Sequence, residues 1–343
     1  MELLKDREKL VLELIMERYI NFAEPIGSGT IAKNMKDRLS PATIRNVMAD
    51  LEEQGFLYKP HVVAGRIPTY KAYRYYVNRL SALKTPGRKE LQAMETMLKP
   101  HYSYVEEIME DASKVLAAIS KYTSIVVEPK VDMMLFKEVE FVKLSSRTIL
   151  AVFVTSSGMV HTRMVNTGEE FSKDNLNSMK QYMNEKFSGV PFYALKKGIL
   201  EDIRKDRETC GRLLAKIKET LETIIDDDDT REIYLEGTSK IIGVPEFADI
   251  ERLKGLFQAF EKKEKLLKLI DECLREEGIH VIIGVESDIK EMSEMSIITS
   301  TYRVGEKSFG VLGVIGPIRM NYSKIIPLVT HAAKTVTNIL TMV

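Results

Sequence analysis

The residues whose types and spacing suggest a chemical role lie between Ser40 and Gly55. If this segment is a helix with Ile44, Val47 and Met48 facing inward, its first turns expose four polar side chains: Ser40, Thr43, Arg45 and Asn46. Arginine and asparagine can each bond two atoms on the edge of guanine or adenine. The pattern therefore predicts a helix that reads base edges in the major groove of DNA.

The loop from Lys59 to Arg66 offers groups suited to backbone phosphates or the minor groove. His61 and Arg66 carry hydrogen-bond donors, and Gly65 permits a close approach of the chain to its ligand. Lys71 adds a basic side chain just after the loop. We expect this group to bind DNA of any sequence and the preceding helix to supply specificity.

Other chemistries fit the sequence poorly. Gly27–Ala32 matches the dinucleotide pattern G-x-G-x-x-A, but a helix and Pro25 precede it instead of a strand, so a turn with helix caps fits better. The five histidines lack ligand spacing, and the Asp226–Asp229 run lacks the alternating ligands of a calcium loop. We therefore expect that the protein is not an enzyme and that it binds neither a metal ion nor a cofactor.

The formal net charge of zero hides an asymmetry along the chain. Residues 1–54 have a net charge of −2, residues 55–89 hold 8 bases and no acid, and residues 90–343 have a net charge of −6. Aromatic residues alternate with the bases, from Phe56 to Tyr76. Basic charge confined to one short region favours a nucleic-acid partner. A solvated basic face over an aromatic core is the alternative.

Length and composition indicate a multidomain globular protein. At about 100–200 residues per domain, 343 residues make two or three domains. No apolar run approaches the ~18 residues of a membrane span, and the charged N-terminus does not resemble a secretory signal. The two cysteines, Cys210 and Cys273, are too few for a disulfide framework, so we expect a reducing cytoplasm.

The elements that must position the candidate residues have a recognisable order. Apolar spacing predicts helices over 5–22 and 30–35, with Ser28 as a cap, and Ser40-Pro41 starts a third helix. Short runs at 56–58 and 66–67 predict a hairpin, and Thr69 caps a fourth helix that extends to Leu83. Three helices with a two-stranded wing form a winged helix-turn-helix. A three-helix unit that binds protein remains the alternative.

Beyond a linker at 84–87, helices and strands alternate in blocks, which predicts an α+β multidomain protein. Helices are expected at 88–98, 102–121, 173–187, 199–225, 249–260, 262–277 and 322–341. Strands are expected at 138–144, 148–155, 159–165, 279–286, 295–303 and 308–315. The linker is a candidate point of reorientation, because few contacts should cross it.

Several segments resemble the HrcA family of heat-inducible transcription repressors. The segment Ser40–Gly55 (SPATIRNVMADLEEQG) is similar to that family's recognition helix, and Glu24–Ser28 matches the turn before its second helix. Pro60-His61, Ala64–Thr69 and Tyr73–Val77 look like the wing and the helix after it. Segments 283–286, 296–299 and 310–317 also match, so the resemblance covers nearly the whole chain in order.

The resemblance implies a domain plan and a function. It implies a winged helix at 1–87, a GAF-like antiparallel sheet domain at 88–170 and 278–343, and an inserted, mostly helical dimerisation domain at 171–277. The family represses chaperone operons as a homodimer on the inverted-repeat operator CIRCE, and a chaperonin maintains the active repressor. The candidate DNA contacts are Ser28, Ser40, Thr43, Arg45, Asn46, Lys59, His61, Gly65, Arg66 and Lys71.

Two other functions remain open at this point: a regulator that senses a small effector through the GAF-like domain, and an enzyme with a DNA-binding appendage. We also expect the dimer interface within 171–277, because its helices have broad apolar faces. The residues that carry this expectation are Leu253, Leu256, Phe257 and Phe260.

Overall fold

A computed structural model of the chain describes residues 4–35, 39–61, 65–80, 85–98, 105–130, 134–166, 170–195, 198–199, 231–242, 244, 247–274, 276–287, 289–304 and 308–342. The chain is a mixed α+β protein with separate antiparallel sheets. The predicted helix at 199–225 lies almost entirely outside the described residues, as do Asp226–Asp229 and Cys210.

The N-terminal unit, residues 4–80, contains four helices and one short strand pair. The helices are α1 (Asp6–Phe22), α2 (Ser28–Asn34), α3 (Pro41–Glu53) and α4 (Tyr70–Arg79), and the strands are β1 (Leu57–Tyr58) and β2 (Ile67–Pro68). This is the predicted order of elements. The predicted cap of α2 was wrong by one residue, because Gly27 has the extended N-cap backbone and Ser28 is already helical.

Local sequence explains where α3 and α4 begin. The Ser40 hydroxyl accepts a hydrogen bond from the Thr43 N–H at 3.1 Å, and Pro41 occupies the first helical position, where no N–H is needed. Thr69 caps α4 in the same way. The predicted end of α4 at Leu83 was late, since the helix ends at Arg79.

A five-stranded antiparallel sheet forms the centre of the larger part. Its order is β7 (Ile233–Glu236), β3 (Thr123–Val127), β10 (Ser308–Pro317), β9 (Met295–Val304) and β8 (Ile279–Ile283). The helices α5 (Arg88–Met97), α6 (Val105–Ser120) and α10 (Tyr322–Met342) pack with the N-terminal unit in one core, which contains one face of this sheet. The helices α8 (Ile250–Glu261) and α9 (Lys263–Cys273) cover the other face.

A second, three-stranded sheet has the order β4 (Phe136–Lys143), β5 (Thr148–Thr155) and β6 (Val160–Asn166). Its inner face packs on α7 (Lys173–Phe187) around three edge-to-face rings: Phe136, Phe153 and Phe192. The predicted limits of β5 and α7 coincide with those observed. The other predicted limits differ by a few residues, and β8 gives way to a 3-10 turn at Gly284–Glu286.

The strands in the middle of the chain are distributed between the two sheets. The strands β4 to β6, expected in the GAF-like part, form a sheet of their own. By contrast, β7, α8 and α9, expected in the insertion, pack with the five-stranded sheet. Periodicity reports that a strand is buried on one face, but it does not report which sheet the strand joins.

Candidate nucleic-acid interface

Helix α3 has one buried face and one exposed face. Ile44, Met48 and Leu51 are fully buried against the other helices of the N-terminal unit. Arg45 and Asn46 are exposed, as predicted, and neither forms a hydrogen bond or ion pair with another described residue. Arg45 and Asn46, two residue types that can bond base edges, thus lie on an outward helical surface.

Ser40 and Thr43 have a different place at this surface. Their hydroxyl oxygens are 2.9 Å apart, and Ser40 also caps the helix. These two side chains order the N-terminus of α3, where N–H groups and the helix dipole favour a phosphate. Further along, Asp50 and Glu53 are exposed and would repel phosphates, so the first half of the helix is the part suited to DNA.

The strand pair β1–β2 carries the loop with the predicted phosphate contacts. Leu57 pairs with Pro68 and Tyr58 with Ile67. Lys59 and His61 are exposed in the loop that follows β1. Residues 62–64 of the predicted loop, among them Val62 and Val63, lie outside the described part of the chain.

Gly65 lies against another part of the protein, whereas the sequence predicted a glycine that lets the chain approach a ligand. A Cβ atom at this position would lie 2.5 Å from the carbonyl carbon of Ile26. A backbone bridge between Ile26 and Arg66 holds these two segments of the chain together, with both N–H···O distances at 2.9 Å. The close approach that requires glycine is therefore an approach to the turn before α2.

Arg66 also makes internal contacts. Its Nε donates to Oε2 of Glu52 at 3.0 Å, and a terminal nitrogen is 3.0 Å from the same oxygen. The Arg66 side chain is only 18% exposed. The guanidinium thus joins the strand pair β1–β2 to the end of α3, and Glu52 partly neutralises its charge.

Lys71 and Ser28 lie at the edges of this surface. The Lys71 ammonium donates to the carbonyl of Gln54 at 2.9 Å and lies 4.5 Å from the centre of the Phe56 ring, although the residue as a whole is exposed. Ser28 is half-buried in the first turn of α2. The structure gathers the predicted residues on one unit, but only some of their polar groups point freely into solvent.

The basic stretch 55–89 is less basic in the fold than in the sequence. Three of its arginines pair with carboxylates outside the stretch: Arg66 with Glu52, Arg79 with Glu13, and Arg74 with Glu286. No local sequence pattern predicts these ion pairs, because the paired residues are 14, 66 and 212 positions apart. Glu52 in particular is a partner of Arg66 that the sequence did not indicate.

Within the described ranges, no group of three or more histidine, cysteine, aspartate or glutamate side chains could hold a metal ion. Among the same residues, no helix has the length and apolar character of a membrane span.

Comparison with known proteins gives a consistent result. Residues 106–326 match the family model "HrcA protein C terminal domain". A heat-inducible transcription repressor HrcA from Geobacter sulfurreducens is 42% identical, over 98% of each chain. Namesakes from Syntrophobacter fumaroxidans, covering 98% of this chain and 97% of its own, and from Methylococcus capsulatus, covering 97% and 95%, are each 35% identical. A crystal structure titled as a hypothetical protein shares the fold, with a TM-score of 0.65, 22% identity and 99% of each chain covered.

Proposed function

This chain belongs to the HrcA family of heat-inducible transcription repressors, and we propose that it represses by binding double-stranded DNA through a winged helix-turn-helix at residues 1–87. The observation that carries this proposal is the exposed first half of α3, where Arg45 and Asn46 have no partner among the described residues. We infer that α3 enters the major groove and reads base edges there.

The strand pair β1–β2 is the wing in this proposal. Lys59 and His61 would contact the phosphate backbone, since both are exposed beyond β1. Gly65 and Arg66 would support the wing instead of touching DNA. Gly65 packs against the Ile26 backbone, and the Arg66 guanidinium donates to Glu52. Ser40 and Thr43 would order the N-terminus of α3 next to a phosphate. Ser28 and Lys71 are peripheral contacts.

The operator in this proposal is an inverted repeat of the CIRCE type, and the chain binds it as a homodimer. An inverted repeat presents two identical half-sites related by a two-fold axis, so one α3 from each protomer reads one half-site. Both recognition helices must then be held at a fixed separation. That requirement calls for a dimer interface outside the N-terminal unit.

The helices predicted to supply this interface are already occupied. Leu256 and Phe260 on α8 are buried against the five-stranded sheet, and Leu253 and Phe257 pack on the same core. The apolar faces that carried this expectation are therefore packed inside the chain. An amphipathic helix needs a cover for its apolar face, and here another part of the same chain provides it.

We place the interface on the outer face of the three-stranded sheet instead. Register puts Val142, Leu150 and Met164 side by side, with Val154 next to Val160 on the same face. Met164 is 74% exposed, Val160 45% and Val142 44%. A second copy would bury this face against its own, as a two-fold interface requires. The division of the chain follows: an insertion from about 131 to 230, with the GAF-like domain formed by 88–130 and 231–343.

A chaperonin is the proposed modulator, in keeping with what the family resemblance implies, and the cytoplasm is the proposed location of both. The alternative function, sensing of a small effector by the GAF-like domain, is not favoured. Val126, Ile298 and Leu312 fill one face of the five-stranded sheet, and Ile125 and Ile297 the other. Both faces are used for packing.

Footprinting on the promoter of a chaperone operon tests the function. We expect purified protein to protect both halves of the inverted repeat, and added chaperonin to lower the protein concentration needed. Protection of one half-site only would contradict the dimer. Equal protection of scrambled DNA would contradict sequence-specific repression. An unchanged footprint with chaperonin present would contradict chaperonin modulation.

A further inference from the structure

Arg74 links the N-terminal unit to the five-stranded sheet, beside the hydrophobic core that they share. Arg74 on α4 donates from Nε to Oε1 of Glu286 at 2.8 Å and from a terminal nitrogen to the carbonyl of Val281 at 2.7 Å. The same terminal nitrogen contacts the second carboxylate oxygen of Glu286. Such a two-point contact fixes the direction of the guanidinium as well as its position.

Glu286 is itself held by the sheet. Its Oε2 accepts the Ile283 N–H at 2.8 Å, across the 3-10 turn that ends β8. The carboxylate is therefore oriented by the backbone before Arg74 reaches it. A change in the angle of α4 must break this contact or move the end of β8.

Two aromatic contacts lie beside the ion pair. The Tyr70 hydroxyl donates to the carbonyl of Ser293 at 3.1 Å, and its ring fills the space next to Gly284, where a Cβ atom would be 2.3 Å from the ring. The Tyr73 and Tyr322 rings lie 6.2 Å apart at their centres. These contacts hold α4 against the sheet next to the ion pair.

An open cleft of about 650 Å³ adjoins the contact on the side of the wing. Tyr58 and Thr69 line it on the N-terminal unit, and Arg252, Glu294 and Ile318 line it opposite. The two units thus touch along α4 but are separated next to β1 and β2. The wing has room to move towards the sheet if the contact along α4 is released.

The Arg74–Glu286 pair is suited to being broken and remade. The two side chains are 32% and 39% exposed, so water and salt screen their attraction. A buried pair would instead be costly to open.

We propose that the contact of Arg74 with Glu286 and Val281 is a latch that sets the angle of α3 relative to the five-stranded sheet. In the dimer of the proposed function, on which this inference rests, that angle determines the separation of the two recognition helices. Closing the latch selects one half-site spacing, and opening it lets the N-terminal units sample others.

Matched variants on one helix test the latch. Arg74→Lys and Glu286→Gln each weaken it, while Arg79→Lys makes the same change five residues along α4, where the partner Glu13 belongs to the N-terminal unit itself. In full-length protein without DNA, we expect amides of α4 and β8 to exchange hydrogen at least five-fold faster in the first two variants than in Arg79→Lys. Equal exchange in all three would overturn the latch.

The second measurement uses operators whose half-sites are moved apart by one to five base pairs. Wild type and Arg79→Lys should prefer one spacing, whereas Arg74→Lys and Glu286→Gln should lose at least three-fold of that preference. Faster exchange with unchanged spacing preference would also overturn the proposal. If wild type bound none of the operators, the proposed function would fail, and the exchange measurement would still decide whether the latch exists.

Discussion

Arg66 at the base of the wing donates to Glu52 near the end of α3, with its Nε 3.0 Å from Oε2. The proposed wing and the proposed recognition helix are thereby joined by an ion pair as well as by the hydrophobic core beneath them. The pair gives Arg66 a structural role that does not require contact with DNA. It also separates two roles that the sequence assigned together.

Lys59→Ala and Arg66→Ala should therefore differ. Lys59 is exposed, so its loss should weaken binding to any DNA and lower the slope of log K against log salt by about 1, without changing stability. Arg66→Ala should leave that slope nearly unchanged and cost up to about 1 kcal/mol of unfolding free energy. Titrations at several salt concentrations, with urea unfolding, measure both. Lys173→Ala, on exposed α7 surface, is the control. If Arg66→Ala lowered the salt slope as much as Lys59→Ala does, Arg66 would be a phosphate contact after all.

Gly65→Ala should destabilise the wing, because the new methyl group would meet the Ile26 backbone at 2.5 Å. Overpacking of this kind costs about 1–3 kcal/mol. Gly29→Ala is the matched change: nothing lies within 4 Å, and α2 should gain about 1 kcal/mol of helix propensity. Thermal unfolding of the two variants should shift in opposite directions. A neutral Gly65→Ala would show that the wing can move away from Ile26.

Arg45→Ala and Asn46→Ala should each cost about 1–3 kcal/mol of binding to the operator and much less to random DNA. The reason is that these two side chains are exposed on α3 without partners among the described residues. Competition binding with operator and scrambled DNA gives the ratio. Asn177→Ala, exposed on α7, is the control. Unchanged preference in Asn46→Ala would refute the assignment of α3 as the recognition helix.

Met164→Glu should weaken the dimer by about 100-fold or more, since a carboxylate would replace an apolar side chain that is 74% exposed at the proposed interface. Sedimentation across a concentration series measures the shift. Asn177→Glu adds the same charge on α7, away from that face, and should stay dimeric. A Met164→Glu protein with wild-type association would move the interface elsewhere.

His161 predicts a pH dependence of stability. Burial on the inner side of β6, the main cause, and the charge of Arg163, the second, lower the pKa of His161 from 6.5 to about 4. Its Nε2 is buried and has no hydrogen-bond partner among the described residues. Below about pH 6.5 the unfolded chain binds a proton that the folded chain refuses, so unfolding free energy falls as pH drops from 6.5 towards 4. The loss is on the order of 2–3 kcal/mol.

Urea unfolding at pH 7 and pH 5 measures this loss. His161→Gln removes the titrating group and should flatten the difference, while His61→Gln, exposed in the loop, should keep it. A wild-type protein equally stable at both pH values would contradict the buried, neutral histidine.

The sequence by itself determined the local elements. Ser40-Pro41 marked the start of α3, alternation marked β5, and 3–4 spacing marked α7, because each signal is contained within one turn or one strand. It also indicated which residues of α3 are exposed. Two strands, β3 and β7, escaped prediction. All five residues of β3 are buried, so the strand shows no alternation, and β7 is only four residues long.

The tertiary structure decided what each face meets. The apolar side of α8 is the same in sequence whether it covers a sheet or a second copy, and only packing assigned Leu256 to the core. In the same way, Arg66 and Arg74 differ in partner, not in type. The sequence shows that a side chain is apolar or charged. Its partner can lie 212 residues away, and only the tertiary fold brings the two together.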